Sequence, residues 1–329
     1  MARIDVVIPC YNYGRFLSAC VRSVLEQSAG DLRVLIIDDA SQDNSALVAR
    51  MLARSDGRVS IIAHTRNRGH IRTYNEGIEW AESEYFLLLS ADDLLVAGAL
   101  DRAVRVMDEN PDIVLTYGNC VAWYDNFPLP VIDASGPFTW VRTDLVRDMC
   151  ATATNFVPTP TAIVRTSVQK EIGGYLPALP HAGDLEMWLR FAARGGVARI
   201  RSVQAIYRKH GSAMSNSYWE NILRDYRQRK SAFDRFFELH GDRIAGLSNL
   251  RKTTDHVLAG KAFQSGLGSL RRGRIGDGVQ LLRWAMNVDR RLRYFPPLWR
   301  LLKLPGSDGR RWAADVLKSA TRRVVERSH

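Results

Sequence analysis

The sequence predicts an α/β fold in which a mostly parallel sheet carries helices on both faces, followed by a C-terminal helical extension. Short, continuous apolar runs alternate with stretches of helical period over residues 4–109, which is typical of parallel strands buried on both faces. Beyond residue 216 the pattern is helical. The chain has 329 residues, of which 46% are hydrophobic, enough for a substantial core. We therefore expect one domain over residues 1–216 and a basic α-helical region over residues 217–329.

The N-terminal half repeats one order of elements: strand, loop, helix. The first strand is predicted at residues 4–8, IDVVI, and ends at Pro9. Phe16, Cys20 and Val24 then fall four apart and predict a helix. The order recurs with strands at 34–38, 59–63 and 85–89 and helices near 44–54, 71–82 and 95–109. Ligands bind beyond the carboxyl ends of the strands in such sheets, so the loops that follow these strands are the candidate site.

The pattern changes after residue 112. Two shorter strand-like pieces, DIVLTYGN and VAWYD, precede a stretch with proline and aromatic residues that continues towards residue 160. A mixed-sheet edge and a substrate-facing insertion both fit this region. A helix is predicted to begin at Asp184 and to end at Gly195 and Gly196. Residues 198–208 are predicted as the last strand.

Bulk properties narrow the class of protein. The four cysteines have neither CxxC nor Cys/His spacing, so neither a zinc site nor a disulfide framework is suggested, and a reducing cytoplasm fits best. The first residues, MARID, lead into a strand without a signal-peptide pattern, and no apolar run approaches the roughly 20 residues of a membrane-spanning helix. We therefore expect a cytoplasmic protein, with peripheral attachment to the inner face of the membrane as a variant.

Positive charge is concentrated towards the C-terminus. Residues 217–329 carry 24 lysines and arginines against 11 aspartates and glutamates, whereas residues 1–216 carry 22 against 24. Such asymmetry favours a polyanionic neighbour, for which an anionic membrane surface, nucleic acid and acidic polysaccharide are the candidates. The alternative is a solvated arginine-rich helical surface.

The last twenty residues, 310–329, predict a basic helix. Trp312, Val316, Ala320 and Val324 lie four apart with arginines around them. This pattern fits a helix that lies on an anionic membrane surface. It fits equally a helix that packs Trp312 into its own domain.

Two adjacent aspartates, Asp92 and Asp93, follow the fourth predicted strand. Adjacent carboxylates beside a buried strand repel each other and lose hydration, so a cation, hydrogen bonds or water must compensate them. Carboxylate oxygens are the ligands that Mg²⁺ and Mn²⁺ prefer, and such a metal commonly binds through few carboxylates together with substrate phosphates. The alternative is that one aspartate caps the helix predicted at 95–109.

Two further carboxylates have open alternatives. Asp39 ends the second strand and could accept hydrogen bonds from a base or a ribose; alternatively, Ser41 or Asp43 beside it merely caps the next helix. Asp184 stands at a predicted helix start. It could be an N-cap or a general base at the mouth of a cleft.

Arg208, Lys209 and His210 follow the last predicted strand. Arg208 and its neighbours are candidates for phosphate contacts, and His210 also for a metal. A lone exposed histidine without such a role is the alternative. Other nucleotide signatures are missing from the sequence, because there is no GxGxxG after the first strand and no GxxxxGK[ST]. No G-x-S-x-G elbow occurs either.

Taken together, these segments resemble family 2 glycosyltransferases, a large inverting family with the A-type glycosyltransferase fold that uses nucleotide-diphosphate sugars. The matching text is VVIPCYNYGRFLSACVRSVLEQS, VLIIDDASQDNS, NRGHIRTYNEGIEWAESEYFLLLSADD, KEIGGY, GDLEMWLR and YRKHGS. These pieces occur in the family's order from residue 4 to about residue 215. The resemblance implies that fold, with a Rossmann-like nucleotide-binding half.

The resemblance also implies roles for single residues on the nucleotide side. Pro9, Tyr11 and Asn12 would frame the pocket of the base, and Asp39 would hydrogen-bond the base. Asp92 would lie nearer the ribose. The family's nucleotide-facing stretch would contribute Asn67, Gly69, Asn75 and, as a helper, Arg72.

On the reaction side, the resemblance implies a metal and a base. Asp93 would be the direct metal ligand of a DxD-type motif, with Asp92 beside it, and His210 would approach the metal or the diphosphate. Asp184 would be the catalytic base. Three positions depart from the family's pattern: Ser90 replaces the first carboxylate of the D-x-D-D sequence, Gly183 replaces a glutamate before Asp184, and Tyr74 stands where many relatives have a basic residue.

We therefore expect an inverting, metal-dependent hexosyltransferase that uses a nucleotide-diphosphate sugar, with a UDP-sugar as the expected donor. The acceptor would be a hydroxyl of a glycan or a lipid-linked acceptor in surface or extracellular polysaccharide synthesis, and the metal would be Mn²⁺ or Mg²⁺. The alternative is a non-catalytic nucleotide-sugar-binding module, motivated by Ser90. We expect no nucleic-acid partner, because no aromatic-interleaved basic motif or recognition helix is present. The oligomeric state is left open.

Overall fold

The computed structural model describes residues 3–28, 31–134, 136–214, 221–240 and 246–294. Within these residues the chain forms a nine-stranded sheet of order β3-β2-β1-β4-β8-β6-β9-β5, with β7 paired to β9. The strands are β1 (Ile4–Cys10), β2 (Leu32–Asp38), β3 (Val59–Ala63), β4 (Tyr85–Leu88), β5 (Leu94–Leu95), β6 (Ile113–Tyr124), β7 (Trp140–Thr143), β8 (Ile163–Arg165) and β9 (Gly196–Lys209).

The first four strands are parallel, as the alternating pattern predicts. In register, Val6 of β1 faces Val34 of β2 and Leu87 of β4. The later strands make the sheet mixed, because β8 runs antiparallel to both β4 and β6 while β6 runs parallel to β9. Of the two alternatives for the region after residue 112, the mixed sheet accounts for the strands, but β6 and β8 lie inside the sheet and not at its edge.

In the first part of the chain, helices pack on this sheet. After β9 ends at Lys209, the described elements are all helical. They are α1 (Gly14–Leu25), α2 (Ser45–Ser55), α3 (His70–Trp80), α4 (Ala99–Glu109), α5 (Leu145–Thr152), α6 (Thr166–Ile172), α7 (Gly183–Ala192), α8 (Ile222–His240), α9 (Leu247–Arg271) and α10 (Ile275–Val288).

The period-two alternation of β1 explains why both faces of the sheet are covered. Ile4, Val6 and Ile8 belong to one buried cluster together with the apolar stripe of α1 and part of α4. Val7 points to the other face and meets α3, where a Cβ on Gly77 would lie 2.4 Å from a Val7 methyl group. Glycine at position 77 therefore lets α3 approach the sheet closely.

The sequence pattern differs from the structure between residues 113 and 152. The two strand-like pieces are one continuous strand, β6, which bends at register shifts opposite β9 near Gly118 and Asn119. The proline- and aromatic-containing stretch contains β7 and α5, neither of which the pattern predicts. Such bulges let one long strand change direction without ending.

The chain divides into two compact units, Met1–Thr254 and Asp255–His329. In the described part of the second unit, Gly266 of α9 and Gly278 of α10 allow a close helix crossing, since a Cβ on Gly266 would lie 3.0 Å from the Gly278 carbonyl oxygen. The sequence-based division at residue 216 stays a prediction. The basic helix predicted at 310–329 lies outside the described residues.

In the described residues, no helix combines the length and the apolar character that crossing a lipid bilayer requires.

Candidate active site

A cavity of about 930 Å³ opens beyond the carboxyl ends of β1, β2 and β4. The C-terminal halves of β6 and β9, the first part of α3 and the loops at residues 157–160 and 212–214 also contribute to its wall. The predicted site residues that line it are Pro9, Tyr11, Asn12, Asp39, Asn67, Gly69, Asp92, Asp93 and Asp184. Arg72, Asn75, Arg208 and His210 do not line it. Residues from distant segments of the sequence therefore share one cavity.

The loop after β1 is fixed by the loop after β2. Asn12 adopts a left-handed backbone with φ of 58°; its N–H donates to Ser41 Oγ at 2.9 Å, and its Oδ1 accepts from Gln42 N at 2.8 Å. Glycine two residues further on, at position 14, lets the chain pass close to the start of α2, because a Cβ there would lie 2.8 Å from the backbone nitrogen of Ser45. These contacts hold Tyr11, whose side chain is exposed, at the edge of the cavity.

Asp39 is a buried carboxylate that organises the loop before α3. Its Oδ1 accepts from Arg68 N at 2.8 Å and its Oδ2 accepts from Gly69 N at 2.9 Å, while His64 Nδ1 lies 2.7 Å from Oδ1. Burial alone would raise the pKa of Asp39, but these hydrogen bonds outweigh it and hold the pKa below its usual value. Asp39 is therefore ionised and acts as an acceptor at the cavity wall.

Asn67 and Gly69 lie at the same wall, whereas Arg72 and Asn75 point elsewhere. Asn67 Oδ1 accepts from Gly69 N at 3.0 Å. Arg72 is exposed on α3. Asn75 donates from Nδ2 to the carbonyl oxygen of Tyr175 at 2.9 Å and accepts from the Tyr175 N–H at 2.6 Å. Asn75 therefore fixes the backbone of Tyr175, whose hydroxyl hydrogen-bonds Asp184.

The acidic pair lies on the turn between β4 and β5. Asp92 has polar partners for both oxygens: Ser90 Oγ donates to Oδ1 at 2.5 Å, and His210 Nε2 is 3.0 Å from Oδ2. Asp93 accepts from the backbone N–H of Arg208 at 3.0 Å. By the family resemblance, Ser90 replaces a carboxylate. In the structure its hydroxyl donates a hydrogen bond to Asp92.

Arg208 braces the acidic pair from behind the cavity wall. Its Nε donates to the carbonyl oxygen of Asp92 at 3.0 Å and its Nη1 lies 2.7 Å from Asp125 Oδ1. The guanidinium carbon stands 4.6 Å from the ring centre of Phe16 and 4.1 Å from that of Trp123. Arg208 therefore touches the backbone of the turn, and two aromatic faces enclose its charge.

The surroundings of Asp93 fit a divalent cation. The residue is 1% exposed, and burial together with the charge of Asp92 raises the pKa of the Asp93 carboxyl well above its usual value. A cation would offset that cost, and the nearby carboxylates and the His210 imidazole are hard or borderline ligands. No cluster of three or more His, Cys, Asp or Glu side chains in the described residues forms a complete metal site. Phosphate oxygens and water would have to supply the remaining ligands.

Asp184 lies across the cavity, in the first turn of α7. Its Oδ2 accepts from Thr159 Oγ1 at 2.7 Å. Burial raises the pKa of Asp184, whereas hydrogen bonds from the hydroxyls of Thr159 and Tyr175 lower it in part. The net result is a carboxylate that is more basic than in water and is oriented by two hydroxyls.

The starts of α7, α4 and α2 show whether the predicted aspartates act as N-caps. The N-cap residue of α7 is Ala182 and that of α4 is Gly98, and neither helix has a side-chain cap. Asp184 and the acidic pair are therefore not N-caps. At α2 the N-cap residue is Asn44 and no side chain caps the helix, so neither Ser41 nor Asp43 is the N-cap, although Asp43 Oδ1 accepts from Ser45 N at 2.9 Å.

Three groups in the site have no signal in the sequence pattern. His64, Thr159 and Tyr175 act on Asp39 or Asp184 through single side-chain atoms. Tyr175 does lie within the quoted segment KEIGGY, but spacing alone gives its hydroxyl no role. Their contacts depend on chain segments that only the fold brings together.

A profile of known protein families matches the chain over residues 5–169, and its description is Glycosyl transferase family 2. Among curated relatives, the glycosyltransferase GlyG of Streptococcus pneumoniae serotype 4 is 29% identical over 113 residues, 34% of this chain and 38% of GlyG. The UDP-Glc:alpha-D-GlcNAc-diphosphoundecaprenol beta-1,3-glucosyltransferase WfgD of Escherichia coli is 28% identical over 116 residues, 35% of this chain and 45% of WfgD. The matched region thus spans less than half the length of either relative.

Solved structures show the same fold. TarS 1-349 of S. aureus, in complex with UDP-GlcNAc, superposes with a TM-score of 0.64 at 16% identity, covering 97% of this chain and 92% of that one. The mannosyltransferase PcManGT of Pyrobaculum calidifontis, in complex with GDP-Man and Mn²⁺, gives 0.55 at 16% identity, covering 98% and 80%. The architecture is the A-type glycosyltransferase fold. With a family match over half of its length, the chain belongs to glycosyl transferase family 2.

Proposed function

We propose that this chain is an inverting glycosyltransferase that moves a sugar from a nucleotide-diphosphate sugar to an acceptor hydroxyl. The observation that carries the proposal is the arrangement of Asp39, Asp93 and Asp184 around one cavity. Asp39 is an ionised hydrogen-bond acceptor, Asp93 is a buried carboxylate that a cation would stabilise, and Asp184 is a carboxylate with a raised pKa. Transfer of a sugar from a sugar nucleotide needs all three properties.

Asp93, with Asp92 and His210 beside it, would hold Mn²⁺ or Mg²⁺. When bound, the metal neutralises the negative charge that develops on the departing diphosphate. Ser90 and Arg208 keep the acidic turn in place through contacts with Asp92. A structural neighbour in complex with Mn²⁺ supports this choice of ion.

Asp184 would remove the proton of the acceptor hydroxyl. A carboxylate whose pKa is raised by burial is a stronger base than one in water, provided that it stays ionised at the working pH. The hydroxyls of Thr159 and Tyr175 orient the carboxylate towards the acceptor. Attack on the face opposite the leaving diphosphate inverts the anomeric carbon.

The sugar donor and the acceptor are proposed by class. Neighbours in complex with UDP-GlcNAc and GDP-Man support a nucleotide-diphosphate sugar, and we retain a UDP-sugar as the expected donor. The name of WfgD, whose acceptor is a diphosphoundecaprenol-linked sugar, supports a glycan or lipid-linked acceptor. Attachment of residues 217–329 to an anionic membrane surface stays a proposal. The absence of co-sedimentation with anionic liposomes at low salt would contradict it.

Metal-dependent hydrolysis of the sugar donor tests the proposal against the alternative of a non-catalytic binding module. The purified chain is incubated with UDP-GlcNAc, UDP-glucose and GDP-mannose, with Mn²⁺ or with a chelator, and release of nucleoside diphosphate is measured. We expect Mn²⁺-dependent release with at least one sugar donor. Binding of a sugar nucleotide without any release would favour the binding module.

A further inference from the structure

Behind Asp39, buried polar contacts continue away from the cavity. His64 lies between two carboxylates: its Nδ1 is 2.7 Å from Asp39 Oδ1 and its Nε2 is 2.8 Å from Glu76 Oε2. The imidazole side chain is 2% exposed. An ionised carboxylate can only accept hydrogen bonds, so Nδ1 is the nitrogen that donates to Asp39. Arg68, with Nη1 3.5 Å from the same Glu76 oxygen, is the remaining charged group of the cluster.

These contacts leave Asp39 one acceptor position. Each carboxylate oxygen offers two lone pairs. Oδ1 uses both, on His64 Nδ1 and Arg68 N, whereas Oδ2 uses one, on Gly69 N. The side chain lines the cavity, and it therefore presents a single acceptor and no donor to a ligand.

We propose that His64, held by Glu76, is a positioning residue that fixes Asp39 as a pure acceptor and thereby makes the site select nucleotides by the edge of their base. The inference rests on the proposed function, because Asp39 must meet the base. Uracil N3 and hypoxanthine N1 carry a hydrogen and donate to such an acceptor. Cytosine N3 and adenine N1 are acceptors themselves, so at the same position they would leave two lone pairs opposed.

Calorimetric titration with two matched pairs of nucleotides tests the selection. UDP and CDP differ only at this edge of the base, and so do IDP and ADP. In the presence of Mn²⁺, the wild type should bind the first member of whichever pair fits the pocket about tenfold more tightly than the second. The tenfold difference is the cost of leaving the Asp39 acceptor without a donor when CDP or ADP binds.

Two substitutions at one position separate positioning from general loss of structure. The amide nitrogen of asparagine falls near the site of Nδ1, whereas that of glutamine falls near the site of Nε2. His64→Asn should therefore keep a donor on Asp39 and keep the preference between bases. His64→Gln should lose that donor and reduce the preference towards equality. Thermal unfolding of both variants checks that they fold alike.

Asp39→Asn is a second, independent test that leaves His64 unchanged. Two N–H groups, from His64 and Arg68, require an oxygen at the Oδ1 position, so the new amide nitrogen must take the Oδ2 position. The Gly69 N–H would still have an acceptor, because Asn67 Oδ1 lies 3.0 Å from Gly69 N. The site would then donate to the base, and we expect the preference to turn towards CDP or ADP.

The outcomes are distinct. A wild type that binds a nucleotide but does not prefer the base with a ring N–H overturns the inference. So does a preference that is unchanged in both His64→Gln and Asp39→Asn. Failure of the wild type to bind any of the four nucleotides would instead contradict the proposed function itself.

Discussion

Thr159 donates a hydrogen bond of 2.7 Å from its hydroxyl to the Oδ2 atom of Asp184. The two residues come from different segments, a short helical turn at Thr159–Thr161 and the first turn of α7. Burial raises the pKa of Asp184, and the hydroxyls of Thr159 and Tyr175 lower it in part. The protonation of the proposed base therefore depends on a neighbour that the sequence pattern does not single out.

Replacing Thr159 with valine should move the acidic limb of the pH–activity profile to higher pH. Without the hydroxyl, the pKa of Asp184 rises further above its usual value, so the base becomes protonated, and inactive, at a higher pH than in the wild type. The measurement is kcat as a function of pH. Thr159→Ser keeps the hydroxyl and should restore the original profile. Superimposable profiles for the valine variant and the wild type would remove Thr159 from this role.

Asp184→Asn should reduce kcat by about a hundredfold or more, because the amide cannot accept the proton. The affinity for the sugar donor should stay within about twofold, since the proposed role is confined to the transition state. Transfer kinetics and calorimetry measure the two quantities. Asp31→Asn, at an exposed position outside the cavity lining, is the matched control. Unchanged turnover in Asp184→Asn would exclude it as the base.

Asp93→Asn should raise the melting temperature of the metal-free protein, because it removes a buried charge next to Asp92. The same variant should lose the stabilisation that Mn²⁺ and UDP together give to the wild type. Asp92→Asn should do the opposite in the metal-free state and destabilise it by about 1 kcal/mol. The reason is that Ser90 and His210 both contact its carboxylate. Thermal unfolding with and without Mn²⁺ and UDP measures both effects; equal behaviour of the two variants would contradict the assignment.

Asp5→Ala should destabilise the fold by about 3 kcal/mol. The Asp5 carboxylate is fully buried and forms two hydrogen bonds of 2.8 Å with Arg33. It also accepts from the N–H groups of Glu82 and Ser83. Urea unfolding measures the loss. Arg105→Ala, which breaks the exposed pair with Glu109, should cost less than about 1 kcal/mol.

The pH dependence of the same variant follows from the pKa of Asp5. Burial alone would raise that pKa, but the hydrogen bonds from Arg33 and the backbone outweigh it, so the pKa lies below its usual value. The contribution of Asp5 to stability is therefore complete above the pKa of the unfolded chain and is lost as pH falls through the folded one. The alanine variant should lose less stability on acidification than the wild type, and parallel curves would contradict this.

The parallel half of the fold is predictable from the sequence because β1, β2 and β4 lie inside the sheet and are buried almost throughout, whereas β3 is the partly exposed edge strand. Residues 34–37 and 85–88 are continuous apolar runs and are buried, so local pattern and tertiary position agree there. The region of β6 to β8 is different. The strand β8 has three residues, too few for any period, and it is a strand only because β4 and β6 lie on either side of it.

The candidate site divides in the same way. Asp39 directly follows β2, and Asp92 and Asp93 lie on the turn that follows β4; the sheet brings strand ends together, so the sequence predicts their shared cavity. The role of Asp184 as base remains a prediction, although the structure places it in that cavity. The support given by His64 to Asp39 and by Ser90 to Asp92 depends on side-chain geometry. A residue pattern contains no information on such contacts.

The paired contacts between Asn75 and the backbone of Tyr175 have a consequence for how defects in this protein would look. Asn75 follows the loop that is proposed to meet the nucleotide, whereas Tyr175, whose backbone it holds, carries the hydroxyl that hydrogen-bonds the proposed base Asp184. A substitution of Asn75 would therefore lower kcat while the affinity for the nucleotide stayed unchanged. Kinetic measurements alone would then assign the defect to the surroundings of Asp184 and not to position 75.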